Sequence, residues 1–209
     1  DSLEQLVFER MLGGIFEGSN RPDFVDADTL YIITDVPARL NTVAGSYSDK
    51  AYRYLRYKGP ADSHCNVAEI AFYEKGDTAS VKGKPIGTPG CFYNDGTHEY
   101  MNAFDGKTWT SFDYSHPSGG WAGLDLGRKA CIDHIVYTPR NRDNYIRPGD
   151  VYELFYCDHH WKSAGTVKAA SDSLVFCGIP ENALLFLRNH TRGVDERIFS
   201  YENGIQLWK

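Results

Sequence analysis

The chain has 209 residues, the length of one large domain or two small ones, and a formal net charge of −6. Its lysines and arginines are scattered rather than gathered in a run, which argues against nucleic acid and against anionic membrane as partners. No apolar run approaches the roughly 20 residues that a spanning helix needs, and the abundance of glycine and tyrosine suits strands and tight turns better than a helical bundle.

The chain starts at Asp1 with no signal-peptide pattern, which reads as a processed product or an excised piece of a longer protein. A helical pattern is confined to Ser2–Met11. Strand signals follow at short intervals: Leu30–Ile33, Tyr52–Tyr57 with charges alternating against large rings, and Val67–Tyr73. Further on come Ile132–Tyr137, Val151–Tyr156, Ser173–Cys177, Leu184–Arg188 and Gly204–Trp208. Gly59-Pro60, Thr88-Pro89-Gly90, Asn94-Asp95-Gly96, Pro117–Gly120 and Pro148-Gly149 separate them as turns. Many short strands with this punctuation predict an all-β sandwich or barrel. Five cysteines, at 65, 91, 131, 157 and 177, make neither a CxxC pair nor a zinc-like Cys/His cluster. Cys131, Cys157 and Cys177 stand in apolar runs and read as small buried hydrophobes. The odd count argues against a full disulfide framework and leaves one or two bridges open.

The sequence also echoes itself. Tyr52–Arg56, a polar loop and Val67–Tyr73 have the layout of Leu185–Arg188, the loop His190–Gly193 and Ile205–Trp208. On this pattern residues 1–75 read as the later half of a module, residues 79–209 as a complete one, and Glu74–Thr78 as the joint.

Six segments recur in a fixed order: GTPG (87–90), AFDGKTWTSF (103–112), GWAGLDLG (120–127), IVYTPR (135–140), YELFY with Trp161 (152–161) and LLFLRN (184–189). In that order they resemble the discoidin, or coagulation factor 5/8 type C, family of galactose-binding-like domains, which includes bacterial carbohydrate-binding modules. The stretch GGIFEGSNRPDF, LYII, YRYLRY and NVAEIAFY resembles the back half of the same family. The resemblance implies a jelly-roll β-sandwich with its ligand loops at one end.

Family relatives hold a structural calcium at the loop matching Asp105-Gly106. The implied ligands here are Asp105, Thr110 and the carbonyls of Ala103 and Lys107, a hard-oxygen set that suits calcium. The family adds an acidic residue from the last strand. That region of the second module reads Gly204-Ile205-Gln206, so the acid is absent or displaced to Glu202, whereas Glu69 does stand in the last strand of the first segment. The alternative is a metal-free turn in which Asp105 accepts backbone hydrogen bonds. Trp121 and Leu124–Gly127 read as core strand and turn, and Trp161 as a structural ring closing the sandwich.

Sugar recognition needs a ring to cover the apolar face of a pyranose and planar polar groups for its hydroxyls. By the family pattern the candidates are Arg140, Asn144 and His98 with the aromatics Phe92 and Tyr93, and from the last loop His190 and Arg192. Arg140 reads equally as a structural salt bridge. The expectation is a non-catalytic carbohydrate-binding module for galactose-type or other glycans, an accessory part of a larger multidomain protein in an extracellular, periplasmic or cell-surface setting. The alternative is a protein-interaction or adhesion module on the same scaffold. No GxSxG and no recognisable cysteine nucleophile context is present, which makes an enzyme the weakest reading.

Overall fold

A computed structural model describes residues 6–93, 96–143, 145–195 and 198–209. The chain is all-β, with two antiparallel sheets. It divides into two compact units, Asp1–Asp143 and Asn144–Lys209.

The first unit opens with a short 3-10 turn, Glu9–Met11, where the helical pattern stood. The strands β1 (Ile15–Ser19), β2 (Asp28–Ile32), β3 (Thr42–Gly45), β4 (Ala51–Lys58), β5 (Glu69–Glu74) and β6 (Lys84–Gly87) follow. A second 3-10 turn, Tyr100–Phe104, precedes β7 (Trp121–Thr138). This 18-residue strand organises the unit. Its first part pairs with β4, from Lys58 opposite Trp121 to Tyr54 opposite Asp125, and with β6. Its later part pairs with β3 and β5, from Thr138 opposite Glu69 to His134 opposite Gly45. Between the two parts the register against β4 slips, and Gly127 takes up the turn with φ +67°, a left-handed conformation that glycine adopts without a Cβ penalty.

Alternation along the strands turns Phe16, Leu55, Tyr57, Phe72, Ile135 and Tyr137 inward, each at most 2% exposed. Phe16 of β1 meets Tyr57 of β4 at 5.0 Å, Tyr137 of β7 at 5.4 Å and Phe72 of β5 at 6.1 Å. Rings from the β1–β4 side and from the β5–β7 side therefore share one core. Each fully buried large side chain contributes about 1.5–3 kcal/mol. Exposed ion pairs such as Arg21–Asp23 and Lys50–Asp28 are screened by water and salt, so the aromatic core dominates the stability of this unit.

The joint expected at Glu74–Thr78 lies inside the first unit, between β5 and β6, and both of those strands pair with β7. The internal echo reflects strand–loop–strand spacing. Spacing does not encode which strands become partners: β4 pairs with β1 upstream, and the β7 partners of β4 and β5 lie far downstream.

The second unit is a sheet of β8 (Val151–Asp158), β9 (His160–Lys168), β10 (Leu185–Asn189), β11 (Val194–Asp195), β12 (Phe199–Glu202) and β13 (Ile205–Trp208). Its strands run in the order β13-β12-β10-β8-β9, with β11 on β10. Tyr152, Leu154, Leu185, Leu187 and Phe199 form its core. The expected strand at 173–177 is instead an irregular segment whose Leu174 and Phe176 pack against that core. Its apolar alternation is satisfied by covering a sheet rather than by joining one.

Two further expectations are corrected. Among the described residues no cysteine is in a disulfide, and the buried ones are Cys65 and Cys91; Cys131 and Cys157 are half-buried and Cys177 is exposed. Trp161 is 42% exposed and does not close a core.

A Cβ on Gly123 would run into the carbonyl oxygen of Leu55 across the β4–β7 ladder, whereas one on Gly45 would meet nothing within 4 Å. Gly123→Ala is expected to destabilise the chain by about 3 kcal/mol, and Gly45→Ala to change it by less than about 0.5 kcal/mol. Chemical denaturation of the two variants measures both.

Candidate functional site

The residues 111–114 lie between two neighbours. Phe112 bridges to Val67 on one side and Tyr114 to Cys91 on the other. The peptide of Asp113 is held by the 91–98 loop, its N–H donating to the His98 carbonyl at 3.0 Å and its carbonyl accepting from Phe92 N–H at 2.8 Å. The Asp113 side chain is buried, 2% exposed. A carboxylate removed from water needs partners, and the unit supplies them from both ends of its sequence. Asn66, just before β5, donates its amide to Asp113, and Arg10 holds the Asn66 carbonyl oxygen at 2.6 Å. Arg140, two residues beyond the end of β7, places Nη1 at 2.7 Å from Asp113 Oδ2. Burial pushes the Asp113 carboxyl above its ordinary range, against the opposing pull of Arg140 and Asn66.

With one nitrogen on Asp113, Arg140 donates through Nη2 to the Tyr93 hydroxyl at 2.7 Å, and its guanidinium lies 5.4 Å from the Tyr93 ring centre. The rings continue outward. Tyr93 and His98 are 4.8 Å apart, Phe92 and Tyr93 5.3 Å, and His64 and Phe92 5.1 Å. Phe92 is 58% and Tyr93 47% exposed. The result is a rim of aromatic faces around a fixed guanidinium. Such a rim offers C–H stacking surface and planar donors in one place.

A second corner of the unit holds two carboxylates. Asp105 closes the 3-10 turn Tyr100–Phe104, and Gly106 follows with φ +76°. Asp105 accepts from the Lys107 N–H at 2.9 Å and from the Asn102 amide at 3.2 Å. Thr110 Oγ1 stands 2.9 and 2.8 Å from the two Asp105 oxygens and 3.0 Å from the Lys107 carbonyl. Ala103 is buried beneath the loop. Glu69, at the start of β5, enters the same corner and accepts from the Gly106 N–H at 3.0 Å. Burial, and then the facing Asp105 carboxylate, push Glu69 up to about 8. Asn141 joins the two corners, its amide nitrogen donating to the Thr108 and Pro139 carbonyls at 2.9 Å each.

Of the sequence-derived sugar candidates, the first unit brings Phe92, Tyr93, His98 and Arg140 together, and Asp105, Thr110 and Lys107 form the separate turn. His190 and Arg192 belong to the second unit, where His190 Nε2 lies 2.7 Å from Glu153 Oε2 and the Arg192 N–H donates to the Asn189 side chain. Asn144 lies outside the described residues. Asp113, Asn66 and Arg10 line the aromatic corner and were not among the sequence candidates, and Glu69, named there only as a strand acid, lines the second corner. The signal for Asp113 was a lone acid inside an aromatic run, Phe112-Asp113-Tyr114. Glu69 was visible as a strand acid but was assigned to a different module from Asp105.

Among the described residues, no group of three or more His, Cys, Asp or Glu side chains is arranged to hold a metal ion. The Glu69–Asp105 corner is a two-carboxylate site with a hydroxyl and a carbonyl beside it. Comparison with protein-family models, with curated proteins and with solved structures finds no match to this chain.

Proposed function

We propose that the first unit is a non-catalytic glycan-binding module. The carrying observation is Arg140, pinned by buried Asp113 and directed at Tyr93 beside His98 and Phe92. A pyranose stacks its C–H face on the exposed aromatic rings and offers hydroxyls to the guanidinium and the imidazole. Because Asp113 already orders Arg140, little side-chain entropy is lost on binding. Galactose-type sugars are the first candidates, by resemblance to the discoidin family.

The same resemblance gives this reading of the module's assembly. The stretch like the family's back half (6–75) and the stretch like its front half (79–143) complete one sandwich together, in reversed chain order. The support is that β4 and β5 of the first stretch pair with β7 of the second, and that Glu69 thereby meets Asp105.

Calcium suits that corner. Glu69, Asp105, Thr110 Oγ1 and the Lys107 carbonyl would hold it, and the ion would neutralise two facing carboxylates and brace the loop that Asn141 ties to the Arg140 segment. The setting proposed for the parent protein is the cell surface or beyond, where the module tethers a glycan-processing chain to its substrate.

Calorimetry against galactose, β-galactosides and other neutral sugars tests the site. Tyr93→Ala is expected to weaken binding about tenfold with the melting temperature retained. Arg140→Ala is expected to abolish binding and, by stranding Asp113, to cost about 3 kcal/mol of stability. Full affinity in Tyr93→Ala, or no response to any glycan, would turn the reading to an interaction module.

The acidic corner is tested by pH. Glu69 binds its proton more tightly folded than unfolded. In chelator-treated protein, stability is therefore complete below the ordinary value of 4.5 and is lost as pH rises toward about 8. The loss should be about 2 kcal/mol, less than half of the full shift because the group keeps contact with water. Glu69→Gln should remove that slope. Calcium should restore stability at pH 8 in the natural chain and not in Glu69→Gln, as followed by thermal melts.

A further inference from the structure

The outward face of the second unit carries a feature that the loop site does not use. In β8, alternation points Tyr152 and Leu154 into the core, and Glu153, Phe155 and Cys157 the other way. The ladder sets Phe186 and Arg188 of β10 opposite Phe155 and Glu153, and Ser163 and Trp161 of β9 opposite Phe155 and Cys157. The rings meet. Phe155 and Phe186 stack at 5.4 Å and 30°, and Trp161 stands edge-on to Phe186 at 5.9 Å. The Arg188 guanidinium lies 5.6 and 5.4 Å from the two phenylalanine centres. Trp161 remains 42% exposed.

A row of planar polar groups runs beside this aromatic strip. Arg188 Nε donates to Asp195 at 2.8 Å, Ser163 donates to Glu153 at 2.6 Å, and His190 stands 2.7 Å from the other Glu153 oxygen. The Ser163 and His190 hydrogen bonds hold the Glu153 carboxyl below its usual range, so it stays ionised as an acceptor. Arg188, Asp195 and His190 each keep about two-fifths or more of their side chains exposed. Their mutual bonds fix their orientation before any ligand arrives.

We infer that this face is a second binding site, for an extended neutral glycan lying along the β8–β9–β10 strip. Trp161 covers a sugar's C–H face, and Glu153, Arg188, Asp195 and His190 beside it meet the sugar's hydroxyls. The chemistry selects this ligand over others. Arg188 is already paired with Asp195 and Glu153 adds a negative charge, so no excess positive charge is left to attract phosphate, sulfate or other anions. Arg188 also lies over the phenylalanines, so the open stacking surface is little more than the Trp161 ring, smaller than a protein partner buries. A neutral polyol needs what is present: narrow stacking surface and paired planar donors and acceptors. The inference rests on none of the loop-site residues of the first unit.

The test uses the full chain with β-1,4-linked hexaoses of glucose, galactose, mannose and xylose, followed by calorimetry and tryptophan fluorescence. A hexaose is expected to bind at this face. Trp161→Ala should weaken that binding about tenfold, Trp161→Phe should recover part of it, and Glu153→Gln, which keeps the side chain's shape, should also weaken it. Repeated in a Tyr93→Ala background, in which the loop site is weakened, the loss caused by Trp161→Ala should persist, which separates failure of this face from failure of the loop site. Unchanged affinity and stoichiometry in Trp161→Ala would overturn the inference, as would no binding of any hexaose. Self-association that sedimentation shows to depend on Trp161 would also overturn it, and would assign the face to a second copy of the chain.

Discussion

A carboxylate is buried where the 91–98 loop, the segment before β5 and the end of β7 come together, and the loop site is built around it: one oxygen accepts from Asn66 and the other faces Arg140 as an ion pair without a hydrogen bond. Asp113 is 2% exposed. Leaving such a group unpaired would cost several kcal/mol, so Asn66 and Arg140 have to be where they are. Arg10 then fixes Asn66. Arg140, with one nitrogen committed inward, has the other free to meet Tyr93 and whatever rests against that ring. The ion pair expected of Arg140 as a purely structural residue is present, and it is also what aims the group outward.

Much of the fold was legible in local pattern. Alternating rings and charges in Tyr52–Tyr57, and apolar runs at 132–137 and 151–156, became β4, β7 and β8 because two-residue periodicity directly sets which face is buried. Short strands with little pattern, β1, β3, β6 and the two-residue β11, were not legible; they are strands because a neighbour's ladder recruits them. The 173–177 segment shows the converse: a strand-like run becomes a cover because no ladder is offered to it.

The candidate sites were legible as lists of residues and illegible as groupings. Phe92, Tyr93, His98 and Arg140 could be nominated by type and loop position, but Asp113, which holds them, looks in sequence like any strand aspartate. Glu69 and Asp105 are 36 residues apart and were assigned to different modules; the packing of the 3-10 turn Tyr100–Phe104 against β5 brings them to one corner. Trp161 was assigned to a core on size alone, and its surroundings, Cys157 opposite it on β8 and Phe186 on β10, decide otherwise. In each case the missing information is the partner of a strand, a non-local quantity set by the total burial of the unit.

The most direct measurement is an amide-resolved NMR titration of the full chain with a β-galactoside. The expected result is a saturable set of shifts centred on Phe92, Tyr93, His98, Asp113 and Arg140, with the β1–β4 core unmoved. Saturable shifts that leave those five residues untouched, or no shifts at millimolar sugar, would contradict a glycan site built on the Asp113–Arg140 pair.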